Sequence, residues 1–181
     1  MSNLVQPLTM KEEKEAARFL ASQIVCDSVD FRGDWIKKNN WVVVPVESGS
    51  HIDEPSALVL SNAFNESKYS SCLGIATEDV GEDYDCYRIH ASKEGFLEFS
   101  WIRGSFNFGI IAPSGAVAVL LTVEDYCLVG GDRHFVSTAV GGNILGARKR
   151  FLDFAEGHDE MESVRNFLVS VARRYETLDN C

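Results

Sequence analysis

The centre of the chain, residues 84–129, constrains the fold most, because strand-like segments follow one another there with very short connections. These segments are residues 84–91, 96–104, 105–111, 116–123 and 126–129. They are rich in β-branched, aromatic and aliphatic residues, and several alternate in polarity. Parallel neighbours need a crossover of about a dozen residues or more, and these connections are far shorter. The pattern therefore predicts an antiparallel β-meander of about four to six strands.

Two elements are predicted ahead of this central region. Residues 41–46, WVVVPV, read as a strand, and Pro45 indicates an edge position or an early stop, because proline has no backbone N–H to donate. Residues 56–68 have apolar side chains at roughly helical spacing and predict a short helix.

Helical patterns also stand at both ends of the chain. Thr9 and Glu12 are in capping-box register ahead of an N-terminal helix. Asn143 and Gly157 are placed to begin and end a second helix. A third helix follows, with an apolar stripe formed by Val164, Phe167, Leu168, Val171 and Tyr175. We expect one α+β domain spanning residues 1–181, with the helices packed on one face of the sheet.

The charge of the chain favours some partners over others. Lysine and arginine number 17 and aspartate and glutamate 27, which gives a formal net charge of −10. An acidic surface repels phosphate backbones, so we expect no nucleic-acid partner. It attracts basic surfaces and accelerates association with them. The same charge is also compatible with a role in solubility alone.

Cysteine and histidine spacing indicates neither a disulfide framework nor a metal site. The five cysteines are widely spread, no two of them form a C-x-x-C pair, and no two of the four histidines lie three or four residues apart. The N-terminus lacks the order of a secretory signal, and the longest apolar run, which starts at Gly115, is too short to span a bilayer. We therefore expect a cytoplasmic protein with no cofactor, metal or membrane partner, and the sequence leaves its oligomeric state open.

The segment around Gly130 and Gly131 resembles a phosphate-binding loop only superficially, since it fits neither G-x-G-x-x-G nor G-x-x-x-x-G-K-[ST]. Asp132 is instead suited to cap a helix that Gly141 and Gly142 end. An alternative remains open in which Asp132, Arg133 and His134, together with His90, converge on a pocket and serve an enzyme or a small-molecule binder. Their spacing makes a poor local triad, so we assign no catalytic residue.

Residues 78–85, EDVGEDYD, form the densest run of acidic residues and contain no basic residue. The order of an EF-hand loop is absent, which argues against calcium. Tyrosines near the run could add interface area at modest entropic cost. We therefore predict a partner-binding surface made of Glu78, Asp79, Glu82, Asp83, Tyr84, Asp85 and Tyr87.

Together these features favour a non-enzymatic protein that holds a basic macromolecular partner. The most concrete form is an immunity or antitoxin-like protein that neutralises a cationic bacterial toxin, such as a nuclease. The competing hypotheses are the enzyme or small-molecule binder around Asp132, Arg133 and His134, and a protein that mimics the charge of nucleic acid.

Overall fold

A seven-stranded antiparallel sheet lies at the centre of the structure, a computed structural model that describes residues 4–49, 51–81, 84–158 and 161–176. The strand order is β1-β6-β5-β7-β8-β9-β4, and β2 and β3 form a separate two-stranded ladder. The strands are β1 Val5–Pro7, β2 Val25–Cys26, β3 Asp30–Phe31, β4 Val42–Glu47, β5 Ser71–Ala76, β6 Cys86–His90, β7 Phe108–Ile111, β8 Ala118–Leu121 and β9 Tyr126–Gly131.

Seven helices occur among the described residues. They are α1 Lys11–Ile24, α2 Gly33–Asn39, α3 Glu54–Glu66, α4 Lys93–Arg103, α5 Arg133–Ala139, α6 Ile144–Glu156 and α7 Glu162–Glu176. The N-terminal helix and the two C-terminal helices match the prediction, and the α+β class is confirmed. None of the helices in the described ranges is both long and apolar enough to cross a bilayer.

Helices cover both faces of the sheet, whereas the sequence led us to expect them on one. Side chains alternate along β8, so that Ala118 and Leu120 point into one core and Val119 and Leu121 into the other. Helices α3, α4 and α5 pack on the side of Val119, and α1, α7 and most of α6 pack on the side of Leu120. Strands that are apolar on both faces must be buried on both.

Residues 96–104, predicted as a strand, lie in helix α4 and its C-cap. The strand prediction was wrong because a short apolar segment can fit alternation and helical spacing at once. Ser92 marks the start of the helix, since its Oγ accepts a hydrogen bond from the Gly95 N–H at 3.1 Å. The buried positions follow the helical period, at Phe96, Phe99, Ser100 and Arg103.

The predicted N-terminal cap of α1 was wrong, whereas those of α5 and α6 are confirmed. Helix α1 begins at Lys11 after Met10, which makes no side-chain capping bond, so the capping box at Thr9 and Glu12 is not formed. Asp132 does cap α5, with its Oδ1 accepting from the Phe135 N–H at 2.9 Å. Asn143 caps α6 in the same way, and Gly157 ends that helix.

The edge prediction for β4 is confirmed. Among the residues that the structure describes, this strand pairs only with β9 and closes one side of the sheet. Pro45 can occupy it because an edge strand leaves some backbone positions without a ladder partner.

Candidate functional site

Four loops emerge from the same end of the sheet. The register pairs Ala76 with Phe108, Phe108 with Leu121, and Leu121 with Cys127, while Glu47 pairs with Tyr126. This end therefore carries the loops of residues 48–53, 77–85, 104–107 and 122–125, which we call the loop edge. The opposite end of the sheet carries the turns that follow α3 and precede α4, near Glu66 and Glu94.

Asn107 joins three of these loops. Its carbonyl accepts a hydrogen bond from the Thr77 N–H at 3.0 Å, and its own N–H donates to Glu78 Oε1 at 2.6 Å. Its side-chain Oδ1 accepts from the Val123 N–H at 2.9 Å. The side chain is buried, so these bonds form in a partly dehydrated setting where their geometry is well fixed.

Two further contacts hold the fourth loop, one to the loop of residues 122–125 and one to α4. The Ser48 N–H donates to the Asp125 carbonyl at 3.0 Å. The Ile52 N–H donates to Ser100 Oγ at 2.7 Å, which links the loop to α4. The loop edge is therefore one connected surface in which the parts hold one another in place.

Large apolar side chains are exposed along the loop edge. Trp101 and Ile102 lie at the end of α4, Phe106 follows in the next loop, and Val123 lies beside Asn107. Their exposed fractions range from 44% for Ile102 and Val123 to 71% for Trp101. Exposed apolar groups gathered in one place, with polar groups around them, are typical of interaction surfaces.

Exposed carboxylates occur at the same end of the sheet as these apolar side chains. Asp79, Glu124, Asp125 and Glu47 are all exposed. By sequence the four loops hold no lysine or arginine, and Arg103 at the end of α4 is only 2% exposed. The acidic residues of the loops are Asp53, Glu78, Asp79, Glu82, Asp83, Asp85, Glu124 and Asp125.

A cavity of about 440 Å³ opens next to the loop edge. It lies among β4, β8, β9, the start of α3 and the end of α5. It shares Ser48, Gly49, His51, Ile52 and Asp53 with the loop edge. The volume falls in the range of small-molecule sites, about 300–1,000 Å³. Its floor consists of side chains of the sheet and of α3, namely Leu60, Leu121, Cys127 and Val129.

The polar groups of this cavity differ in protonation. The Ser56 hydroxyl and backbone N–H bond to Asp53 and hold the pKa of this carboxyl below its usual value. Burial raises the pKa of the Cys127 thiol to about 12, against smaller opposing effects of Arg103 and Ser48. The floor therefore carries a neutral thiol at neutral pH, while the rim carries an ionised carboxylate.

The residues predicted to bind a partner are placed in different environments. Tyr84 is 67% exposed and Asp79 is exposed. Glu78 accepts a backbone hydrogen bond from Asn107, as described above. Glu82 and Asp83 lie outside the described residues, so their part of the prediction rests on sequence.

Asp85 and Tyr87 contribute to the interior of the fold. Asp85 is largely buried and forms ion pairs with Arg18 at 2.5 Å and Lys14 at 3.7 Å. Tyr87 is 6% exposed and packs against the rings of Phe99 and Phe108. Acidic character at this loop is therefore presented by Asp79 more than by Asp85.

In the alternative site, Asp132, Arg133 and His134 are exposed at the start of α5. Neither these residues nor His90 line the 440 Å³ cavity. His134 Nε2 lies 3.4 Å from Glu66 Oε2, and the Asp132 carboxylate is engaged as the helix cap. Arg133 is exposed to solvent, and His90 lies on β6. Over the ranges that the structure covers, no group of three or more His, Cys, Asp or Glu side chains could hold a metal ion.

Sequence reasoning missed the apolar part of the loop edge. The sequence prediction places both Trp101 and Phe106 inside strands. The helical spacing of Phe96, Phe99 and Arg103 was the available signal, since it leaves Trp101 on the outer side of α4. The exposure of Val123 depends on the register of β8 with β9, which no local pattern contains.

Comparison of the chain with protein-family models, with curated proteins and with solved structures found no match. The function is therefore inferred from the geometry and chemistry of the loop edge and the cavity.

Proposed function

We propose that this chain is a non-enzymatic binding protein that holds a basic protein partner on its loop edge. In its most concrete form it is a cytoplasmic immunity or antitoxin-like protein that neutralises a cationic bacterial toxin, such as a nuclease. The observation that carries the proposal is the gathering of Trp101, Phe106 and Val123 with exposed carboxylates on one surface.

Charge supports a basic partner. Glu47, Asp79, Glu124 and Asp125 are exposed on the loop edge, and its loops contain no lysine or arginine. The whole chain carries a net charge of −10, which extends the attraction beyond contact distance. A cationic toxin needs its positive surface to reach an anionic substrate, so an acidic protein that covers this surface blocks it.

Exposed aromatic side chains support a protein partner over a small ion. Tryptophan residues dominate the binding energy of many interfaces when a ring of polar contacts excludes water around them. Trp101 is 71% exposed in the chain described here, and burying its indole would supply much of the binding energy. The polar surround is present in Glu124, Asp125 and Glu47.

The cysteines support a reducing compartment. The four that the structure describes, Cys26, Cys72, Cys86 and Cys127, are free thiols. Burial raises the pKa of Cys86 to about 12, with a further contribution from Asp85. Disulfides are rare in reducing compartments such as the cytosol, and four free cysteines are in keeping with such a compartment.

The test is affinity capture from the native host with four proteins. These are the unchanged chain, Trp101→Ala, Glu124→Lys with Asp125→Lys, and the control Glu66→Lys with Glu94→Lys at the opposite end of the sheet. We expect the unchanged chain and the control to capture the same basic protein. The two loop-edge variants should lose it, because one removes the anchor and the other reverses the charge.

The captured protein then decides between neutralisation and simple binding. Expressed alone it should inhibit growth, and co-expression of the unchanged chain should restore growth while the loop-edge variants do not. Capture of an acidic or neutral protein would contradict the proposal, and so would equal capture by all four proteins.

A further inference from the structure

We propose that the 440 Å³ cavity binds a small hydrophobic amine, with the apolar body of the ligand on the cavity floor and its ammonium group at the rim beside Glu47 and Asp53. This site adjoins the protein-binding surface proposed above and shares Glu47 and Asp53 with it, but ligand binding there does not require the protein partner. The proposal follows from the size of the cavity, the chemistry of its floor and the sign of its rim charges.

The floor favours an apolar body. Leu60, Leu121 and Val129 are each at most 6% exposed, and they belong to the core between the sheet and α3. Cys127 adds a neutral thiol. The walls are completed by aliphatic side chains and small residues, Val46, Ile52, Pro55, Val59, Ala139 and Val140.

The rim favours a cation. Glu47 and Asp53 line the cavity and are exposed, and no lysine or arginine is among its lining residues in the described chain. Hydrogen bonds from Ser56 further favour the ionised form of the Asp53 carboxylate. An anionic ligand would meet two like charges at the rim, whereas an amine meets two opposite ones.

Because the floor of the cavity is apolar and its carboxylates lie at the rim, a lysine side chain is excluded as the occupant. A lysine would enter with its ammonium first and place it on the hydrocarbon floor, where an unpaired charge is costly. A free molecule can enter with its apolar end first and leave the amine in partly hydrated contact with the carboxylates. The ligand is therefore a small amphiphilic cation and not a basic side chain.

Arg150, which lies close to Glu47, provides a check on the sign of the effect. Arg150 lines a smaller neighbouring cavity of about 190 Å³ that also includes Glu47. Its charge opposes a cation at the rim, so Arg150→Gln should strengthen amine binding, the reverse of the effect of removing Glu47.

Calorimetric titration with three matched probes tests the proposal. The probes are phenylbutylamine, phenylbutanol and phenylbutyrate, which share the apolar body and differ in the charge of the head group. We expect the amine to bind about tenfold or more tighter than the carboxylate, with the alcohol between them. Amide resonances of the cavity residues should shift in the same titrations.

Three variants locate the bound probe. Ala139→Phe fills the cavity and should abolish binding of every probe. Glu47→Gln with Asp53→Asn should bring the amine to the affinity of the alcohol, and asparagine retains the ability to cap α3. The matched control, Glu66→Gln with Glu94→Gln, removes two carboxylates at the far end of the sheet and should leave all affinities unchanged.

Several results would overturn the proposal. These are the absence of saturable amine binding, equal or tighter binding of phenylbutyrate, and undiminished amine binding by the Ala139→Phe or rim variants. The partner protein is absent from these titrations. Their outcome is therefore independent of whether the loop edge binds a basic protein.

Discussion

The imidazole ring of His51 lies against the indole ring of Trp101, with the ring centroids 4.1 Å apart and the planes tilted by 30°. His51 Nδ1 is 3.3 Å from the Ser100 carbonyl oxygen, so the imidazole is itself held in place. This stacking restricts the orientation of Trp101, although most of its surface is exposed. A side chain fixed before binding loses less entropy when a partner covers it.

Trp101→Ala should weaken binding of the partner while leaving the stability of the chain nearly unchanged. We expect the free energy of unfolding to change by less than about 0.5 kcal/mol, since the side chain is mostly exposed. The ring-proton resonances of His51 should move downfield, because the indole no longer shields them. Chemical denaturation and proton NMR measure the two effects. A loss of several kcal/mol would show that Trp101 belongs to the core and not to a binding surface.

Asn107→Ala should loosen the loop edge. The substitution removes the acceptor for the Val123 N–H, and we expect a cost of about 1 kcal/mol in the free energy of unfolding. Hydrogen exchange at the Val123 amide should accelerate. Asn39→Ala is the control, since Asn39 donates to the Trp35 carbonyl on an exposed surface and should matter less. Unchanged exchange at Val123 would show that the Asn107 side chain does not hold the loop of residues 122–125.

Gly74→Ala should destabilise the packing between the sheet and α4. A Cβ at Gly74 would lie 2.5 Å from two ring atoms of Phe99 and 2.8 Å from Ile89 Cδ1. Such overpacking costs about 1–3 kcal/mol. Gly33→Ala is the control, because nothing lies within 4 Å of its Cβ position. Equal stability of the two variants in urea denaturation would contradict the packing described for Phe99.

Asp53 should make stability depend on pH at the start of α3. Its pKa is lower in the folded chain than in the unfolded chain, so its stabilising effect is present above the unfolded value of about 3.9 and is lost as the pH falls through the folded value. Asp53→Ala should therefore cost about 1 kcal/mol near neutral pH and progressively less in acid.

Ser56→Ala identifies the cause of this shift. The Ser56 hydroxyl is the largest contributor to the lowered pKa, so its removal should raise the pKa of Asp53 in a carboxyl NMR titration. A stability difference between Asp53→Ala and the unchanged chain that grows as the pH falls would have the wrong sign for this account.

Local chemistry made parts of the fold predictable. Pro45 identified an edge strand because it lacks a donor, and Asp132 identified the start of α5 because its carboxylate can satisfy free N–H groups there. These features depend on neighbours close in sequence. The error at residues 96–104 has the same origin, since within so short a segment the local pattern fits either a strand or a helix.

The candidate site depends on contacts that are distant in sequence. Glu78 and Val123 both bond to Asn107, although 45 residues separate them in the chain. The sequence drew attention to the acidic run at residues 78–85, but not to the ion pair of Asp85 with Arg18, which is 67 residues away. Strand order and register determine which loops share an edge, and no local pattern records them.

The most direct test of the account is the association rate of the captured basic protein, measured by stopped flow at ionic strengths of about 0.01 M and 0.15 M. We predict that Glu124→Lys with Asp125→Lys lowers the rate constant at low salt by about tenfold or more and weakens its salt dependence, while Glu66→Lys with Glu94→Lys has a much smaller effect. Equal slowing by the two pairs would mean that only net charge matters. That result, or unchanged rates for both, would contradict a partner-binding role for the loop edge.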